Sequence, residues 1–223
     1  MPLLVIVSLA LTLLVRTFLV QPFFIPSGSM EDTLQVDDRV LVNKLADRLG
    51  EIERGDVIVF DGADSFSPQE DLFGAEEPSS ALERVLRPVA SAVGLVPSAG
   101  KDYIKRVIGV AGDRVVCCDE AGRITVDGVA LDDDYVFPGD VPSLSEFDVV
   151  VPPGRLWVMG DHRSSSQDSR SLLGAPGGGM VPTERVAGRA FAVVWPVDRL
   201  GWLSTPETFE QPALVENAAG AAR

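Results

Sequence analysis

The stretch DRVVCCDEAGRITVDGVAL, residues 113–131, decides the fold class. Its Val- and Ile-rich runs are short and are broken first by DEAG and then by the pair Asp127-Gly128. An Asp-Gly pair between alternating apolar residues is the strongest short-range hairpin signal, because both central positions of that turn need φ > 0. Two hairpins so close together predict antiparallel pairing. Working outward, DRVLVNKL (38–45), GDVIVFDG (55–62), DYIKRVIGV (102–110), GRLWVMGD (154–161) and GRAFAVVWP (188–196) are further strand-like runs bounded by Gly, Pro and Asp. They do not alternate with long helices, so the expected fold is mainly β, an antiparallel sheet architecture.

The chain is 223 residues long, one domain of generous size or one domain with appendages. Leu3 to Val15 carries no charge, and apolar character resumes after Arg16 through Val20 to Ile25. About 20 residues are needed for a helix to cross a bilayer core. Residues 1–20 are therefore read as an uncleaved N-terminal membrane anchor, a transmembrane helix, rather than a buried core helix. A removable secretory leader would want basic residues before the run and an A-x-A site after it, and neither is present. The nearby cations Arg16, Arg39, Lys44 and Arg48 follow the span and leave its orientation weakly specified.

Residues 21–210 form the expected β-rich domain, with a variable insert at 62–100 and a frayed tail at 211–223. Within the insert, Leu82, Val85, Leu86, Val89 and Val93 fall on one helical face, although Pro88 would end or kink that helix. The net charge of −14 excludes a nucleic-acid binder, which needs clustered Lys and Arg. Cys117 and Cys118 are neighbours, so on a strand they point to opposite faces. Reduced thiols and a vicinal disulfide both stay open, and two cysteines do not make a zinc site.

The chemistry concentrates in IPSGSMEDTL, residues 25–34, where Ser27 and Ser29 flank a glycine. A nucleophilic serine needs a base that can be neutral near neutral pH. The inventory is His162 and the lysines Lys44, Lys101 and Lys105, since arginine stays protonated. On the DYIK strand, Tyr103, Lys105 and Val107 share one face while Ile104, Arg106 and Ile108 share the other. Burial among apolar neighbours would lower the Lys105 pKa and leave an amine able to serve as a base. A lysine whose stem packs while its ammonium reaches water is the competing reading.

Several of these segments together resemble the type I signal peptidases (leader peptidases). IPSGSMEDTL is similar to the family's nucleophile motif, YIKRVIGVAGD to its base segment, and GDHRSSSQDSR to its signature loop. RGDVIVF and MVPTERVAGRAFAVVWP resemble further family segments, and all run in the family's order behind an N-terminal anchor. The resemblance implies a Ser-Lys dyad, with Ser29 as nucleophile and Lys105 as base. It implies that Ser27 joins the Ser29 backbone N–H in an oxyanion hole, and that Ser166 hydrogen-bonds and aims the Lys105 amine. Gly160 would keep bulk away from the site, and Asp168 and Arg170 would tie the loop together as an ion pair. Phe23, Ile25, Pro26, Met30, Leu34, Tyr103 and Ile104 match positions that line the substrate pockets, with the peptide held extended between FFIPS and DYIK. Leu34 and Ile104 also read as core.

The implied activity is removal of signal peptides from exported preproteins after small residues of Ala-x-Ala type, with no metal or organic cofactor. The implied partners are the signal peptides and the lipid bilayer, with a single-pass anchor and the catalytic domain outside the bacterial plasma membrane. Oligomeric state stays open. Two positions depart from the common family pattern: Asp32 stands where many members have proline, and His162 where many have asparagine. Three rivals remain. A self-cleaving Ser-Lys autoprotease would carry a DNA-binding domain in front. A catalytically inactive anchored β-domain would have lost Ser29 or Lys105. A hydrolase using His162 would tolerate loss of Lys105.

Overall fold

A computed structural model of the protein describes residues 19–45, 52–62, 66, 102–175 and 177–215. Among these residues are twelve strands: β1 (Val20–Phe24), β2 (Arg39–Asn43), β3 (Val57–Asp61), β4 (Asp102–Gly109), β5 (Arg114–Cys117), β6 (Ile124–Val126), β7 (Val129–Ala130), β8 (Phe147–Val150), β9 (Arg155–Met159), β10 (Val181–Pro182), β11 (Val186–Trp195) and β12 (Gly201–Trp202). They form two sheets. The larger runs β1-β2-β11-β3-β4-β9-β10 with β12 added to β11, and the smaller runs β7-β6-β5-β8. Every pairing is antiparallel. The mainly β, antiparallel expectation is met.

The small sheet grows from the two expected hairpins. Thr125 and Val126 face Ala130 and Val129 across a turn in which Asp127 (φ 51°) and Gly128 (φ 80°) are both left-handed. That is the backbone an Asp-Gly pair supplies at least cost. One face of this sheet (Val115, Cys117, Ile124, Val126, Phe147) packs with Trp157 and Met159 of β9 into a core cluster. Cys117 and Cys118 are joined as a vicinal disulfide, one of the two forms left open by the sequence.

In the large sheet, β4 lies between β3 and β9, which explains its burial. Ile58, Phe60, Val107, Val158 and Val186 pack on one side. Ile25, Met30, Leu34, Val57, Val59 and Ile104 pack on the other. The β3 partners of β4 run from Val57 opposite Arg106 to Asp61 opposite Asp102, whereas β9 joins only from Arg106 to Gly109. The chain beyond Met159 therefore leaves the sheet beside the first half of β4, where the turn after β1 also arrives.

The end of the chain is better anchored than its lack of periodicity implies. Phe209 and Leu214 are buried in the first core cluster, and the Leu214 carbonyl accepts Arg54 Nη1 at 2.8 Å. Residues 211–215, expected to be frayed, are held by apolar anchoring rather than by a periodic pattern. Residues 216–223, nearly all of the expected anchor (1–18) and the expected helix of the insert lie outside the described residues. Among the described residues no helix is long and apolar enough to cross a membrane.

Candidate active site

Three segments converge on Lys105. The first is the turn after β1. Ile25 is tied into the sheet by its N–H to Asp38 O (2.9 Å) and its carbonyl to Asp37 N (3.0 Å). Tight turns follow, Glu31 N to Gly28 O at 3.0 Å and Leu34 N to Met30 O at 2.7 Å. Asp32 sits here at φ 80°, a left-handed conformation closed to proline. The second segment is β4 itself. The third is the loop beyond β9, which the His162 N–H joins to the turn through Ser29 O at 3.1 Å.

At their meeting point Lys105 Nζ lies 2.5 Å from Ser29 Oγ. Ser29 is 7% exposed and Lys105 3% exposed, so the ammonium does not reach water along its stem. Burial pushes the Lys105 pKa from 10.5 down to about 8; Asp168 and Asp161 pull it back up and Arg170 lowers it further. A buried amine that is partly neutral at pH 8, in contact with a hydroxyl, can take the hydroxyl proton.

The surrounding loop is closely fitted. A side chain at Gly160 would collide with Ser29 O and with Ser166 Oγ, so only glycine lets the two segments approach. Asp168 accepts the Gly160 N–H at 3.1 Å and holds Arg170 through two bonds of 2.9 and 2.7 Å. Arg170 Nη2 in turn donates to Arg163 O at 2.8 Å. His162 presents Nδ1 to Glu31 Oε2 at 2.9 Å and to Gly28 O at 3.2 Å. Both neighbours are acceptors, so Nδ1 carries a proton, and the ring is turned to Glu31 rather than to the Ser29 hydroxyl. Among the described residues, no His, Cys, Asp or Glu side chains gather into a metal-binding group.

The sequence profile of the family described as "Signal peptidase, peptidase S26" matches residues 1–195. The chain belongs to that family. It is 38% identical to the probable signal peptidase I of Mycobacterium leprae over 224 residues, covering 89% of this chain and 76% of that protein. It is 38% identical to signal peptidase I of Mycobacterium tuberculosis over 217 residues (89% and 72% of the two chains). Against the probable signal peptidase I-2 of Synechocystis sp. it is 32% identical over 219 residues, covering 94% of this chain and 83% of that protein.

Not every position taken over from the signal peptidases falls where expected. Ser166 does not hydrogen-bond the Lys105 amine. Its Oγ is buried without a partner beside Gly160, while Lys105 Nζ is drawn to Ser29. The seven expected pocket residues do not share one surface. Ile25, Met30, Leu34 and Ile104 are buried together as core, with Phe23 packed against them, and Pro26 is exposed. Tyr103 lies in another cluster, against Phe60 (5.8 Å between ring centres) and Phe66 (5.2 Å). Strand alternation requires this, since neighbours on β4 face opposite ways. Ser27 is exposed at the turn, ahead of Ser29.

Sequence reading missed the polar bracket behind the Lys105–Ser29 contact. Arg106 donates to both oxygens of Asp161 (2.8 and 2.6 Å) and to Gly55 O (2.7 Å), while Thr33 Oγ1 donates to Asp161 at 2.6 Å. The bracket ties the Ser29 turn, β4 and the loop after β9 together, with Arg106 and Asp161 almost without solvent exposure. Its one signal in sequence was a second cation, Arg106, among the apolar residues of DYIKRVIG.

Proposed function

We propose that the protein is a membrane-anchored serine endopeptidase that cleaves signal peptides from exported preproteins after small residues. The observation that carries this is the contact between the buried Lys105 amine and Ser29 Oγ in a chain of the signal peptidase family. Neutral Lys105 takes the Ser29 proton as Oγ attacks the carbonyl carbon of the residue before the cut. The resulting oxyanion is met by the Ser29 N–H and the Ser27 hydroxyl, donors held ready where charge develops. The Lys105 ammonium then gives its proton to the departing amine, which leaves an ester on Ser29. Lys105 next takes a proton from water, the hydroxide adds to the ester carbonyl, and Ser29 leaves with the proton returned by Lys105. Asp168, Arg170 and Gly160 hold the loop that flanks these steps.

The small-residue preference rests on membership of the signal peptidase family. Phe24, Trp195, Val197, Leu200 and Trp202 are all more than half exposed, and they support a domain lying at a lipid surface, outside the plasma membrane. Residues 1–20 would be its single-pass anchor.

The test is cleavage of a preprotein in detergent, with the new N-terminus sequenced. A single cut after an Ala-x-Ala site is expected, and replacing the alanine before the cut by leucine should lower kcat/KM about 100-fold or more, because the bulky residue cannot be accommodated. Equal cutting of both substrates would remove the small-residue preference. Failure to cut either would leave the anchored, non-catalytic β-domain as the better reading.

A further inference from the structure

His162 and Glu31 are 131 positions apart in the chain, yet their side chains meet directly over the turn that carries Ser29. The Glu31 carboxylate lies so close to Gly28 that any side chain there would strike its Cδ (2.7 Å) and both oxygens (2.8 and 2.9 Å). The imidazole is fixed from the other side by Phe137, stacked at 4.0 Å between ring centres and 12° between planes. Phe137 is itself held by its N–H to Asp161 O at 3.0 Å. At the same residue the His162 main-chain N–H grips Ser29 O, and its Nδ1–H reaches both Glu31 and Gly28 O.

We infer that the His162–Glu31 pair is a positioning device for the reaction: it clamps the Gly28–Ser29 peptide, and so sets the aim of Ser29 Oγ at Lys105 and of the Ser29 N–H at the oxyanion. This rests on the reading of Ser29 as nucleophile. Glu31 thereby supplies a tether from the turn to the opposite loop. An asparagine at 162 places an N–H donor at the position of Nδ1 and can hold the same carboxylate. An alanine there cannot.

The pair acts through Ser29 and touches no substrate atom, so its loss should appear in kcat. In cleavage of an Ala-x-Ala preprotein by the full chain in detergent, His162→Ala and Glu31→Ala should each lower kcat about tenfold with KM within about twofold. The double variant should lose little more than either single, because both break one contact. His162→Asn and Glu31→Gln should stay within about threefold of the parent. His162 is the chain's single histidine, so its imidazole can be read directly by NMR as well. A protonated Nδ1 in the parent, perturbed by Glu31→Ala, is the expected signature.

Unchanged kcat in both alanine variants, losses that multiply in the double variant, or a loss carried by KM would overturn the clamp. So would an imidazole protonated only on Nε2. A parent that shows the NMR signature but never cuts would overturn the nucleophile reading and, with it, the positioning role; a parent that cuts normally without the signature would overturn the clamp alone.

Discussion

Lys105→Met should abolish cleavage and make the protein more stable. Loss of the base, like loss of the nucleophile in Ser29→Ala, is expected to lower kcat by about 10,000-fold or more, since members of such a unit fail together. The stability gain follows from the cost of keeping an ammonium in a site 3% exposed. A pKa lowered from 10.5 to about 8 corresponds to roughly 3 kcal/mol of folding stability withheld while the lysine is charged. Between about pH 8 and 10.5 the unfolded chain holds a proton that the folded chain has lost, so the parent's stability rises with pH across that window. The advantage of the methionine variant should be largest below pH 8 and fade by 10.5. Thermal unfolding at pH 7 and pH 10 reads this directly. A variant that is inactive and also less stable at pH 7 would attribute the loss to folding rather than to chemistry.

Asp161→Ala should be the most damaging single change to the fold near the site. It strips the counter-charge from Arg106, which is 1% exposed, and removes the acceptor of Thr33 Oγ1. Breaking one side of a buried ion pair costs about 3–5 kcal/mol, because the remaining charge is left without a partner. In a domain of this size that is a fall in Tm of roughly 10 °C. Removing both charges at once, as in Arg106→Met with Asp161→Leu, should recover at least half of that loss, since well-packed apolar residues can replace a buried pair. Equal Tm values for the single and double variants would mean that the bracket holds by shape rather than by charge.

How much of this was legible depended on the range of the interaction. The Asp127-Gly128 hairpin was readable because its turn chemistry is local. So was the alternation of β4, which placed Tyr103 and Ile104 on opposite faces. Treating both as one pocket lining followed the family resemblance against that alternation, and the structure sides with the alternation. Lys105 could be named from resemblance, but its burial could not: it comes from β3 and from the Ser29 turn, both distant in sequence. The Arg106–Asp161 and His162–Glu31 pairs were invisible for the same reason, since each joins segments that meet only in the folded sheet. Ser166 shows the converse. A matched motif position carried an expected hydrogen bond that the local geometry does not make.

The most direct test of the dyad is the pH dependence of kcat/KM for the parent enzyme on an Ala-x-Ala preprotein between pH 5 and 10. With Lys105 as base, the rate should climb about tenfold per pH unit on the acid side and bend near pH 8, where the buried amine loses its proton. A limb bending instead near 6.5, the ordinary imidazole value, and disappearing in His162→Asn would contradict the account and make the histidine the base.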